Sequence, residues 1–385
     1  MKRFNWNALV LVFALALLTT GWSEALGDAL RYDQLSPFET YRDRVDKAAA
    51  EKLANHDQLM DLYAVEQRAM GVRVVVKDDT TVVRADSGSL IVPSPAIPDE
   101  ELREIAGRVS GFQQAAEDRG AVFLYAAAPT KNNGETVPKN IVDASKSNFE
   151  RFLKLLGEKN VPVLDLTSIH PQYFRTDHHW LPASGFDAAR AICERLSESN
   201  AFDYDASLLD RSKWNAFDYP EFFLGSYGKK VGVAFGGRPD DFTLLTPQFD
   251  TSLTETQPVK GLTREGTFEQ AALYTEYLKK DLYNVNPYVV YGGGDFRLQV
   301  LTNHLRPGGP KVMIVRDSFA CAVTPFLALE CSELHVCDLR DFTFFVGDRL
   351  DLLQYMDEVE PDVVLVLYAG VNGFEKANGM YNFLG

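Results

Sequence analysis

A chain of 385 residues, 46% of them apolar, is long enough for one large domain or two ordinary ones with a sizeable core. Its formal net charge of −15 excludes nucleic-acid binding, because phosphate recognition rests on clustered Lys and Arg. Cys193, Cys321, Cys331 and Cys337 are too few and too unevenly spaced for a disulfide framework or a zinc site, so they read as buried thiols, with a single Cys331 to Cys337 bridge left open.

Lys2 and Arg3, the apolar run Ala8 to Leu18 and a Ser-x-Ala-like end near Ala25 have the order of an export signal. The run is shorter than the ~20 residues of a bilayer span, which favours a cleaved signal peptide over an uncleaved N-terminal membrane anchor. Either would place the remainder outside the cytoplasm. Residues 26–85 read as an N-terminal extension: a charged, helix-favouring stretch from Leu30 to Arg68, then short alternating strands at Val72 to Val76 and Thr81 to Val83.

From residue 86 onward, helices and strands alternate. Apolar residues at Leu102, Ile105, Ala106, Val109 and Phe112 predict a helix over 99–119, and Ala121 to Ala127 is a buried-strand run. Phe149, Phe152, Leu153 and Leu156 share a second helical face, Val161 to Leu166 is a second strand, and a third helix follows Pro182. Residues from about 200 to 310 break the pattern with aromatic, Gly-rich and Thr-rich segments and read as an insertion. The alternation resumes with strand Val312 to Val315, helix Phe319 to Leu329, strand Leu334 to Cys337, helix Asp348 to Met356 and strand Val363 to Tyr368. This order predicts an α/β fold with a mostly parallel five-stranded sheet covered by helices on both faces.

In such sheets, ligands bind beyond the carboxyl ends of the strands. Two stretches are expected there: Arg175-Thr176-Asp177-His178-His179-Trp180, and Arg316-Asp317-Ser318-Phe319 at a strand-to-helix turn. A serine at such a turn is exposed beside helix-start N–H groups that can hold an oxyanion, though it also suits a helix N-cap. It becomes nucleophilic once a histidine takes its proton and a carboxylate fixes the histidine tautomer. Asp177 and His179 offer those two groups. Metal binding is not expected, since adjacent histidines on an extended chain point to opposite faces, and no motif calls for a cofactor.

Thr176-Asp177-His178-His179-Trp180 resembles the namesake motif of the DHHW family, and further stretches follow in that family's order: Phe223-Leu224-Gly225-Ser226-Tyr227, Asn286-Pro287-Tyr288, Tyr291-Gly292-Gly293, Val315 to Phe319, Pro325-Phe326-Leu327 and Val336 to Arg340. The resemblance covers roughly Gly88 to the C-terminus. That family is similar to the SGNH-hydrolase-like proteins of bacterial exopolysaccharide acetylation, the alginate O-acetylation proteins. It implies an SGNH-hydrolase-like three-layer sandwich over 86–385, with Ser318 accepting an acyl group, His179 as general base and then acid, Asp177 orienting the imidazole, and His178 further back.

Two departures stand out. Arg316 occupies the place of the usual glycine before Asp-Ser, and no Gly-x-Asn-Asp block supplies an oxyanion donor; Asn372, after the last strand, is the candidate for that role. Lys131, beyond the first buried strand, and Tyr227 in the insertion are candidate substrate contacts. The expected function is an extracytoplasmic serine acyltransferase or esterase acting on O-acetyl groups of a cell-surface polysaccharide or cell-wall glycan. Transfer would need an acyl donor from a membrane partner, as the resemblance implies. The alternative is a non-catalytic glycan-binding or assembly protein that keeps the fold without an oxyanion hole.

Overall fold

The structure, a computed structural model, describes residues 56–77, 79–342, 345, 348–370 and 379–384. The expected export segment 1–25 and Asn372 lie outside the described residues. The chain divides into two units, Met1–Val72 and Arg73–Gly385. In the first, helix α1 (His56–Ala69) carries an aspartate in its first turn and an arginine in its last, as the helix dipole favours. Among the described residues no helix is long and apolar enough to cross a membrane.

The second unit opens with an antiparallel three-stranded sheet, β1 (Val74–Lys77), β2 (Thr80–Arg84) and β3 (Leu90–Ile91). The hairpin expected at the end of an extension therefore belongs to the main body, and the boundary falls at Val72 rather than at 85.

Then come α2 (Asp99–Glu117), β4 (Val122–Ala128), α3 (Ser145–Glu158), β5 (Val163–Asp165) and α4 (Pro182–Leu196). A hairpin of β6 (Trp214–Phe223) and β7 (Asp240–Pro247) precedes β8 (Leu253–Gln257), β9 (Leu262–Gly266) and β10 (Leu298–Asn303). The chain continues through β11 (Lys311–Arg316), β12 (Glu333–Cys337), α5 (Leu352–Val359) and β13 (Val363–Ala369).

The main sheet runs in the order β5-β4-β13-β11-β12-β10-β8-β9. All five expected strands are present and mutually parallel. The sheet then extends through β10, β8 and β9, each antiparallel to its neighbour. The 200–310 segment is thus partly continuous with the sheet instead of being a separate insertion.

The parallel strands are apolar on both faces because both faces are covered. Leu124, Ala126, Val312, Ile314 and Leu365 pack in one core with Phe186, Ile192 and Cys193 of α4. The alternate residues Phe123, Tyr125, Met313, Val315 and Val364 pack in the other with Leu102, Phe112, Phe152 and Met356. All four cysteines are buried free thiols, so no Cys331 to Cys337 bridge forms.

Two expected helices differ from the structure. The stretch after Ser318 is a 3-10 turn (Ser318–Ala322), one helical turn (Thr324–Leu327) and another 3-10 turn (Ala328–Glu330). Pro325 has no N–H to give the preceding turn, so the helix restarts there. The helix expected from Asp348 begins only at Leu352, because the Asp351 carboxylate accepts the N–H groups of Leu353 and Gln354, both at 3.0 Å.

Candidate active site

Both stretches singled out by sequence lie beyond the carboxyl ends of the parallel strands. After β5 the chain returns on itself, pairing Tyr173 with Trp180, and residues 175–179 between them are bent. This bend is fastened from every side. Asp240, the first residue of β7, accepts the Arg175 N–H at 2.7 Å, the Thr176 N–H at 2.8 Å and the Thr176 hydroxyl at 2.6 Å. The Gly228 N–H donates to Thr176 O at 2.9 Å, and the Gly225 N–H to the Thr176 hydroxyl at 2.8 Å.

Lys131 completes the fastening. Its buried Nζ donates to the carbonyls of Phe174 (2.7 Å), Arg175 (3.0 Å) and Asp177 (2.8 Å), using all three N–H donors of an ammonium. Lys131 does line the cavity over Ser318, where a substrate contact was expected, but its ammonium is engaged by loop backbone. Burial pushes its pKa down to about 8, with Asp177 pulling in the opposite direction.

The second stretch ends β11. Asp317, not Ser318, caps the following turn, accepting the Phe319 N–H at 2.9 Å through Oδ1, while its Oδ2 accepts the Ala369 N–H at 2.8 Å from the end of β13. The Ser318 hydroxyl is thereby left free of capping. Burial raises the Asp317 pKa, opposed by nearby Arg340 and by those two N–H groups. Trp180 Nε1 and the Tyr288 hydroxyl both donate to Phe319 O, at 3.0 and 3.1 Å, tying the two stretches together.

Where they meet, His179 Nε2 lies 2.8 Å from Ser318 Oγ, and His179 Nδ1 lies 2.6 Å from Asp177 Oδ1. Asp177 also accepts the His179 N–H at 3.0 Å and the Ser226 N–H at 2.6 Å. Burial alone would raise the Asp177 pKa, but the two imidazoles and the hydrogen bonds from His179 hold it well below the usual carboxylate value. The Tyr288 ring stacks on His179 with centroids 4.0 Å apart, fixing the imidazole plane. Asp177 can keep Nδ1 protonated, leaving Nε2 able to take the serine proton.

His178 behaves differently from the sequence expectation. On the bent backbone, its ring lies 3.8 Å from that of His179, centroid to centroid, instead of pointing to the opposite face. Asp177, His178 and His179 therefore do present one ligand atom each within 4.8 Å of one another. Those groups also hydrogen-bond within the chain: His178 Nδ1 lies 3.2 Å from Ser226 Oγ, and both nitrogens of His179 are engaged as described. Packing around the His178 ring and the neighbouring His179 lower its pKa.

A cavity of about 190 Å³ opens over Ser318, lined among others by His178, Tyr227, Asn132, Phe319 and Arg340. Tyr227 thus sits where a substrate contact was expected, with its ring 5.6 Å from that of His178. Tyr291, by contrast, is buried, its hydroxyl accepting from Leu245 N and donating to Thr243 O.

Residues 93–211 match the sequence model of a family described as the SGNH hydrolase-like domain of acetyltransferase AlgX. The chain has an SGNH hydrolase-like fold. The matched segment holds Asp177 and His179, whereas Ser318 lies beyond it. The structure is similar to a DHHW family protein from Eubacterium siraeum (20% identity, TM-score 0.59, covering 81% of this chain and 98% of that one). It is likewise similar to Bacillus cereus PatB1 with a sulfonyl adduct (20% identity, TM-score 0.63, covering 81% and 99%). A search of curated protein sequences gave no match.

Within the SGNH hydrolase-like fold, Arg316 in place of glycine is accommodated by burial among acidic partners. Its Nη1 lies 2.5 Å from Asp295 and 3.6 Å from Asp338, and its Nη2 donates to Gly294 O at 2.6 Å. Sequence reasoning gave Asp240 no mention and Asp317 and Arg340 no role of their own. Their signal is position: each adjoins a strand end.

Proposed function

We propose that this chain is an extracytoplasmic serine O-acyltransferase or esterase that handles O-acetyl groups of a cell-surface polysaccharide or cell-wall glycan through an acyl-serine. The carrying observation is the continuous hydrogen-bonded line from Asp177 through His179 to Ser318. In the proposed cycle, His179 Nε2 takes the Ser318 proton as Oγ attacks the acyl carbon. It then gives that proton to the departing oxygen, and Asp177 stabilises the transient imidazolium. A second hydroxyl, from a sugar or water, repeats the steps in reverse.

Several features support this reading. The matching family model is described as an acetyltransferase, and a relative of the same fold is known with a sulfonyl adduct. The cavity over Ser318 is smaller than the ~300–1,000 Å³ of drug-sized pockets, which suits a short acyl group and the edge of one sugar. The order of charges and apolar residues over 2–25 supports export, and a membrane partner that delivers the acyl donor would make transfer the physiological outcome.

The test is acetate release from an acetylated chromogenic ester. Wild type is expected to turn over and Ser318→Ala to lose the activity. A folded wild type no faster than Ser318→Ala would favour the glycan-binding alternative. Adding an unacetylated glycan acceptor then separates transfer from hydrolysis, because a transferase moves label to sugar at the expense of free acetate.

A further inference from the structure

Beyond the end of β12, Arg340 is 7% exposed. A buried guanidinium is costly unless its donors are matched, and most of them are. Nε donates to the two Asp338 oxygens at 2.9 and 3.2 Å; Nη2 donates to Asp338 and lies 2.7 Å from Asp295 Oδ1. The same two aspartates take Arg316, so two guanidiniums and two carboxylates form a neutral quartet, buried apart from the half-buried Asp295. The Phe342 ring lies 4.6 Å from the Arg340 Cζ.

Nη1 is left over. Among the described residues no group pairs with it, and it is not a fully enclosed atom, so solvent reaches it. Arg340 lines the cavity over Ser318, and among the described residues Nη1 is its one nitrogen without a partner. Ser318, which lines the same cavity, has a backbone N–H that pairs with no group among the described residues, whereas the Phe319 and Ala320 N–H groups are both taken by Asp317.

We propose that Arg340, through Nη1, is the charged donor that binds the acyl carbonyl oxygen as it becomes an oxyanion, together with the Ser318 backbone N–H. This assignment rests on the serine acyl-transfer reading above. As Ser318 Oγ bonds to the acyl carbon, the carbonyl π pair moves onto its oxygen and the serine proton passes to His179 Nε2. On collapse the pair returns, the bond to the departing sugar oxygen breaks, and that oxygen takes the proton from His179.

A cation held in fixed geometry beside a small cavity stabilises such charge more than water does. Because the quartet is neutral, the donor is best matched when charge develops on the acyl oxygen, not by a standing anion. Arg316 also gains a role: where a glycine is usual, it braces the carboxylates that aim Arg340.

The experiment measures turnover of an acetyl ester by the full chain carrying Arg340→Gln, Arg340→Lys or Arg340→Ala, with thermal unfolding as the folding control. Ser318-dependent turnover by wild type secures the parent reading separately, and its absence would defeat that reading. Arg340→Gln is expected to lower kcat by roughly 10²–10³-fold with little change in KM, the size reported for loss of one oxyanion donor. Methylguanidinium is expected to restore part of the Arg340→Ala rate. A folded Arg340→Gln with kcat within about threefold of wild type, or a loss confined to KM, overturns the assignment. If the variants do not fold, the carbonyl infrared band of wild-type acetyl-Ser318 decides: a shift below that of a serine ester in water is expected, and an unshifted band overturns it.

Discussion

A methyl group placed on Gly225 would lie 2.2 Å from the Cβ of Asp177 and 2.7 Å from its backbone nitrogen. That closeness lets the next residue, Ser226, donate its N–H to the Asp177 carboxylate. Gly225→Ala is expected to push the loop away, lowering stability by about 1–3 kcal/mol as other overpacked sites do. Activity is expected to fall further than stability alone explains, because Asp177 moves with the loop. Thermal unfolding alongside turnover checks this; unchanged activity would separate Gly225 from the site.

Asp177→Asn keeps the shape but replaces an acceptor with an amide that can donate to Nδ1, favouring the tautomer with the proton on Nε2. Turnover is expected to drop by roughly 10³–10⁴-fold with the fold intact, by analogy with serine hydrolases of known mechanism. A decrease of less than about tenfold would show that His179 is oriented by other groups, such as the Tyr288 ring.

Phe319 O accepts from both Trp180 and Tyr288. Removing one donor with Trp180→Phe or Tyr288→Phe leaves the carbonyl one of its two side-chain donors, whereas removing both leaves it none. Denaturant unfolding is expected to show the double variant losing about 1 kcal/mol or more beyond the sum of the singles. Simple additivity would mean that the two bonds act independently.

Lys131 ties activity to pH. Protonated, it supplies three N–H groups to three loop carbonyls; deprotonated, it supplies two. With its pKa pushed down to about 8, turnover is expected to fall on an alkaline limb near that pH. Linkage runs the other way. Between about 8 and the ordinary 10.5 the unfolded chain holds more protons, so this group alone makes stability rise with pH across that window. Lys131→Met is expected to abolish the limb at a lower overall rate, and a limb that persists unchanged would assign it to another group.

The parallel core was legible because strands buried on both faces must be apolar throughout, as Val363 to Tyr368 is. Asp177, His179 and Ser318 were legible because reactive residue types fell just beyond strand ends. Features set by tertiary contact were hidden. Lys131 falls at the predicted edge, yet only the folded chain shows three carbonyls converging on its ammonium. The bend over 175–179 that brings His178 against His179 depends on Asp240, more than sixty positions downstream. The sheet strands within 200–310 are short and edge-side, so their pattern was too weak to distinguish them from an insertion.

In the proposed cycle Ser318 carries the acyl group. The most direct measurement is mass spectrometry of the protein quenched during turnover of an acetyl ester, read on the peptide that contains Ser318. An acetyl group is expected on Ser318 in wild type, absent in Ser318→Ala and no longer formed at a measurable rate in His179→Ala. Turnover with Ser318 unmodified, or with the acetyl group on a different residue, would contradict the proposed cycle.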